Sequence, residues 1–231
     1  MQTPLNTECR VKAYLTTWAI GLGVLLSQSA WAVDDFSKAE TQLFMTPHLQ
    51  ALKLPRQLSY TFQKSGSLEP HFKDHVHVGV KAKAQGRCCA TQVTFLSKQR
   101  RLQLPEPDEA LGNPVILYFL ERDIREMQRL TQGQTNYFRS RIRKALYMKA
   151  TEGQRAFNYK GKSVSAQEFE IIPFVDDPLR ERLKSWVDKH YVFTLSPQVP
   201  GGVVAIRTWL KTPDGLQTVW QETLLLEGAT L

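Results

Sequence analysis

The sequence is poor in cysteine and in reactive-site signatures, and each shortage removes a class of function. It has three cysteines, Cys9, Cys88 and Cys89, and no C-x-x-C spacing. Thioredoxin-type exchange and covalent haem attachment both need that spacing, so neither is indicated. G-x-S-x-G, H-E-x-x-H and S-x-x-K are all absent, which leaves enzyme chemistry without an anchor. Gly161-Lys162-Ser163 has the tail of a phosphate-binding loop, but Ala156 stands where such a loop needs its first glycine. A tight turn between strands accounts for Gly161 better. There is no internal repeat, no low-complexity tract and no recognisable nucleic-acid-binding module. Beyond residue 26 no apolar run approaches the roughly 20 residues that cross a bilayer.

What is present begins with an expected leader. Arg10 and Lys12 precede the apolar stretch Ala13–Leu26, and Ala30-Trp31-Ala32 has the small-x-small form of a cleavage site. Residues 1–32 therefore read as a cleavable secretory signal, with residues 33–231 as one periplasmic domain. A lipid anchor would need a cysteine just after the apolar stretch, whereas Cys9 lies before it. Export discounts nucleotides and nucleic acid as partners, and the sequence calls for no cofactor. It also makes a disulfide conceivable. Cys88 and Cys89 are adjacent, and three readings stay open: one buried and one exposed thiol, a vicinal disulfide, or an intermolecular or metal contact.

Periodicity then orders the body. Alternating apolar residues predict strands over Leu58–Lys64, His71–Lys81 and Cys88–Ser97. A short helix is expected around Ser37–Phe44. The clearest helix starts at Asn113-Pro114, a capping residue followed by a proline suited to the first helical position. Ile116, Phe119/Leu120, Ile124, Met127 and Leu130 form its apolar stripe. A second helix, capped by Thr135 or Asn136, would turn Phe138, Ile142, Ala145/Leu146 and Met148 inward. Strands return at Ala156–Tyr159, Val164–Ile172, Tyr191–Leu195, Val203–Lys211 and Gln217–Leu226, with a short helix from Asp177 to about Lys189. The expected fold is α+β, a curved, mostly antiparallel, half-barrel-like sheet covered by a helical hairpin and a short helix.

Candidate sites are few. His75 and His77 share one face of a strand at a spacing of about 6.5–7 Å, workable for two metal ligands. Asp74 faces the other way, and a solvated strand face is the plainer explanation of the pair. Residues 134–150 carry Arg139, Arg141, Arg143 and Lys144 with no acid. Such a helix repels itself unless an acidic partner, or acids such as Glu106, Asp108 and Glu109, offset it. Glu121-Arg122-Asp123 reads as surface pairing on the outer side of its helix. His190 and Ser196 have no identifiable third member for nucleophilic catalysis. The many aromatics would line a core, or a cavity between helices and sheet able to hold a lipid or other apolar ligand.

Three stretches carry a resemblance: the run from Gly112-Asn113-Pro114 through Glu121-Arg122-Asp123 to Met127, the strand Tyr191–Ser196, and Val199-Pro200-Gly201-Gly202. Over most of residues 33–231 the chain resembles an uncharacterised group of proteobacterial periplasmic proteins. In element order it is also similar to periplasmic half-barrels, the lipoprotein-localisation carriers and a related domain family of unknown function. That likeness implies a curved antiparallel sheet whose concave face is plugged by helices, with acyl chains held there in the carriers. It carries over no ligand residue. The leading expectation is an exported, non-enzymatic binding or carrier protein for an apolar or lipid-like ligand. The alternatives are an envelope assembly factor whose basic helix holds an acidic protein, and a hydrolase acting on an envelope polymer.

Overall fold

The computed structural model describes residues 36–231, except residues 86–87 and 106–109. The expected leader and the acids Glu106, Asp108 and Glu109 lie outside the described residues. Among those described, no helix is long and apolar enough to cross a membrane.

The strands are β1 (Arg56–Ser65), β2 (Phe72–Ala82), β3 (Cys89–Phe95), β4 (Thr151–Tyr159), β5 (Lys162–Ile171), β6 (His190–Leu195), β7 (Val203–Lys211), β8 (Thr218–Leu226) and β9 (Ala229–Thr230). They form one antiparallel sheet in the order β3-β2-β1-β8-β7-β6-β5-β4-β9. This sheet cannot be flat. β8 and β9 stand five strand positions apart, about 24 Å at the usual strand spacing. Only Glu227 and Gly228 join them, and three Cα–Cα steps reach about 11 Å. The sheet must therefore curl until β4 returns towards the end of β8, which makes the expected half-barrel.

The concave face is built in cross-strand rows. Phe169, Phe193, Ile206, Leu224 and Phe62 are successive register partners from β5 to β1. The next row is Ile171, Tyr191, Thr208, Glu222 and Lys64. Onto this face pack α2 (Val115–Thr131) and α3 (Thr135–Met148), the expected hairpin. The Asn113 side chain accepts the Val115 N–H at 3.2 Å, and Pro114 already has helical φ. Phe119 of α2 meets Phe62 at 6.2 Å between ring centres. Phe138 of α3 meets Phe174 edge-on at 5.9 Å. Each such fully buried phenylalanine contributes roughly 1.5–3 kcal/mol. α2 ends where Gln132 turns left-handed. Gly133 follows because the Phe138 ring lies 2.4 Å from where a Cβ would sit.

Two short helices complete the chain. α1 is α-helical over Lys38–Glu40 and π-helical over Thr41–Met45. Ser37 and Glu40 close a capping box at its start. α4 (Arg180–Leu183) runs into a 3-10 segment, Lys184–Asp188. Some expectations need correcting. Neither Thr135 nor Asn136 caps α3, whose N-cap is Gln134 without a side-chain bond. Met148 is 63% exposed, because it falls on the last turn, past the edge of the sheet contact. β4 begins at Thr151, five residues before its expected start at Ala156. Its early residues are exposed, so no apolar alternation announces them.

Candidate functional site

The space between hairpin and sheet is filled. Phe62, Phe95, Phe119 and Trp220 are all buried in one continuous cluster. What the aromatic count did not foretell is a layer of charge beneath α2. Asp123 and Lys189 are both wholly buried and ion-paired. The Tyr191 hydroxyl donates to the other Asp123 oxygen at 2.6 Å. Burial first, and then the Asp123 carboxylate, push the Tyr191 hydroxyl well above its ordinary pKa. The Lys189 ammonium also lies 5.2 Å, 5.4 Å and 5.8 Å from the rings of Tyr191, Trp186 and Trp220.

Arg122, half-buried, and the buried Glu222 form a second pair. Burial raises the Glu222 pKa and Asp123 adds to that, while Arg122 and Lys189 pull the other way. Lys64 joins Glu69 and sits 4.0 Å over the Trp220 ring. Arg129 reaches the same Glu69 at 2.6 Å. The expectation that Glu121-Arg122-Asp123 pairs on the surface is thus correct for Glu121 alone. Glu121 binds Arg125 and Arg139 on the outside. Arg122 and Asp123 turn inward, because consecutive helical residues are about 100° apart and this helix is buried on more than one face.

A second polar knot ties two of the sequence stretches together. The Asn113 amide donates to the Tyr60 hydroxyl and to the Gly201 carbonyl, each at 2.8 Å. The Asn113 N–H donates to His48 Nδ1 at 3.3 Å. Burial holds His48 below its ordinary pKa, a hydrogen bond to the Gln42 backbone opposing it. Through Nδ1, His48 braces the Asn113 backbone. Gly201 and Gly202 have φ of +74° and +71°, and a Cβ would strike Leu58 at 2.4 Å or His48 at 2.7 Å. The Pro-Gly-Gly turn is a packing requirement.

The apolar groove lies on the outer side of the hairpin, with a volume of about 630 Å³. Leu120, Ile124, Ile142 and Leu146 form its buried floor, and Phe44, Leu104 and Pro105 extend it. Phe36, Met45 and Leu117, 43%, 53% and 55% exposed, stand around it. Glu40, Glu121, Arg139 and Arg143 complete the rim. One sequence signal pointed here: Leu117 widens the apolar stripe of α2 beyond the core face, towards Leu120 and Ile124. Phe36, Met45 and Leu104 are brought in by tertiary packing and had no local signal.

The basic helix is neutralised mostly from within. Arg139 meets Glu121 at 2.9 Å, and Arg141 meets the buried Asp177 at 2.8 Å. Asp177 also accepts the Leu179 N–H at 2.8 Å, in the turn before α4, whose own N-cap is Leu179. Arg143 is 80% exposed and only 3.9 Å from Glu40. Lys144 is exposed without an ion pair among the described residues.

His75 and His77 stack at 6.2 Å on the solvent face of β2, near the expected spacing. His77 Nδ1 is 3.2 Å from the Ser59 hydroxyl, and His75 lies 3.8 Å from Glu227. Among the described residues no group of three or more His, Cys, Asp or Glu side chains is placed to hold a metal. Cys88 and Cys89 are joined as a vicinal disulfide, with Cys89 fully buried. His190 begins β6 and Ser196 follows its far end, about 20 Å of strand apart. Ser196 donates to the Ser165 carbonyl at 2.6 Å, while His190 stacks on Trp209 and binds Glu170 at 2.7 Å. They share no site. No protein-family model matches the chain, and no curated protein matches it.

Proposed function

We propose that this protein is an exported, non-enzymatic binding or carrier protein of the cell envelope that takes an amphipathic ligand with an apolar chain and an anionic head. The observation that carries this reading is the outer groove. Its size falls within the range of about 300–1,000 Å³ common to small-molecule sites, and it gathers Phe36, Met45 and Leu117, three of the exposed large apolar side chains. Seating an acyl chain there would remove apolar surface from water at about 0.8 kcal/mol per methylene. Arg143, extended at the rim with one weak ion contact, supplies charge for the head. The leader-like residues 1–32 support an exported setting. The acidic-partner reading of the basic helix has less behind it, since Arg139 and Arg141 are already paired.

The test is delipidated protein titrated with an apolar fluorescent dye and with a fluorescent fatty acid, beside mass spectrometry of lipid retained on purification. Dye enhancement is expected, and displacement by fatty acid. Leu117→Glu, at an exposed position, should abolish both without altering the fold. Arg143→Glu should weaken the fatty acid more than the neutral dye. No enhancement and no retained lipid would sink the reading.

A further inference from the structure

A second cleft of about 690 Å³ opens on the concave face, and no residue of α2 or α3 lines it. Gln154, Gln167 and Leu195 are register partners on its floor. They continue the face that carries Phe169 and Phe193, one step along the strands. The change from phenylalanine to glutamine marks where the core ends. The cleft contains Lys53 and Arg56 and not one carboxylate. Neither cation has an ion pair among the described residues.

This cleft borders an open strand edge. β9 covers β4 only at Asn158 and Tyr159. The Lys160 N–H reaches the Gly228 carbonyl at 2.8 Å on that side, so by strand alternation the N–H and C=O of Glu152, Gln154 and Ala156 also point outward. They have no backbone partner among the described residues. Edges are normally blunted by proline, lysine, a bulge or a covering segment. Residues 151–157 contain neither proline nor lysine. The opposite edge of the sheet is covered, since Leu102 and Ala110 donate to the Phe95 and Cys89 carbonyls. β9 already shows the free edge accepting an antiparallel strand.

We propose that β4 takes up an extended acidic peptide segment of a partner protein as an added strand. Its backbone pairs with Glu152, Gln154 and Ala156, and its acidic side chains enter the cleft beside Lys53 and Arg56. Charge selects this occupant over a second copy of the chain, because two molecules of strongly positive net charge repel. Glu152 does not oppose it, being paired with Lys38.

The probe is a fluorescein-labelled heptapeptide of alternating Glu and Val, compared with its Lys–Val counterpart by fluorescence anisotropy. The acidic peptide is expected to bind and the basic one not. Gln154→Pro removes one outward N–H and leaves the β4–β5 ladder intact, so binding should fall by about tenfold or more. Lys53→Glu with Arg56→Glu should reverse the preference. In the wild-type protein the peptide should slow amide hydrogen exchange at Gln154 and Ala156, a readout independent of how the proline variant folds. Leu117→Glu should leave peptide binding unchanged, which separates this edge from the groove. Equal binding of both peptides, or no protection at Gln154 and Ala156, overturns the proposal. So does a dimer of the protein alone that Gln154→Pro dissolves, which would assign the edge to a second copy.

Discussion

Replacing Asp123 by alanine is expected to bring this protein close to unfolding. Asp123 and Lys189 are both 0% exposed. Truncating the carboxylate strands the Lys189 ammonium among three aromatic rings at 5.2–5.8 Å. It also orphans the Tyr191 hydroxyl. An uncompensated buried charge costs about 3–5 kcal/mol and an orphaned buried hydroxyl about 1–3 kcal/mol. Together they rival the whole stability of a typical domain, about 5–15 kcal/mol. Removing the charges in concert should behave differently. The triple variant Asp123→Leu, Lys189→Met, Tyr191→Phe leaves neither an ion nor a hydroxyl behind, and should lie within about 2 kcal/mol of wild type or above it. Urea unfolding followed by tryptophan fluorescence suits the question, since Trp186 and Trp220 meet edge-on at 5.7 Å beside Lys189. An Asp123→Ala cost under about 1 kcal/mol, or a triple variant as unstable as the single one, would refute the reasoning.

Three further outcomes are expected. Burial works to raise the Asp74 carboxyl, but hydrogen bonds from the His75 and Ser97 N–H groups and the Ser97 hydroxyl, with the Arg100 charge, hold it below 3.8. Its stabilisation is thus fully present above that pH and lost as pH falls through the depressed folded value; Asp74→Asn should remove this acid-side decline and cost about 1.5 kcal/mol at neutral pH, read from urea midpoints across pH. Glu222 runs the other way: burial, with help from Asp123, raises its folded pKa above 4.5 against Arg122 and Lys189, so stability falls as pH rises through that window, and Glu222→Gln should flatten the fall in a thermal-melt series. Gly202→Ala combines a φ of +71° with a 2.7 Å clash on His48, and should lower urea stability by more than about 1 kcal/mol.

The fold was legible wherever burial writes a period into the chain. Val76, Val78 and Val80 alternate, the α2 stripe repeats at helical spacing, and Asn113-Pro114 marks where α2 begins. Legibility failed where burial is absent or changes face. The exposed start of β4 has no alternation to find. β5 buries Val164 and Ala166 at one end and, out of phase, Phe169 and Ile171 at the other. Asp123 misled for a different reason. A charged residue on a helix is read as solvated until its counter-charge, here 66 residues away, is known to meet it. The basic run of α3 left its counter-charges open in the same way, since Glu121, Asp177 and Glu40, which meet it, come from other elements.

The position of β8 has a kinetic consequence. It follows all the other long strands described here in chain order, yet it is the seam of the sheet, pairing Leu226 with Tyr60 and Leu224 with Phe62 across most of the described residues. Until it arrives, the β1–β2–β3 meander and the β4–β7 meander are two sheets with facing raw edges and no common core. Neither half can finish early, and loop-closure entropy places the joining of the halves late and makes it slow. The same wiring leaves the β1 edge, with Tyr60 and Phe62, open to misassociation in the interval.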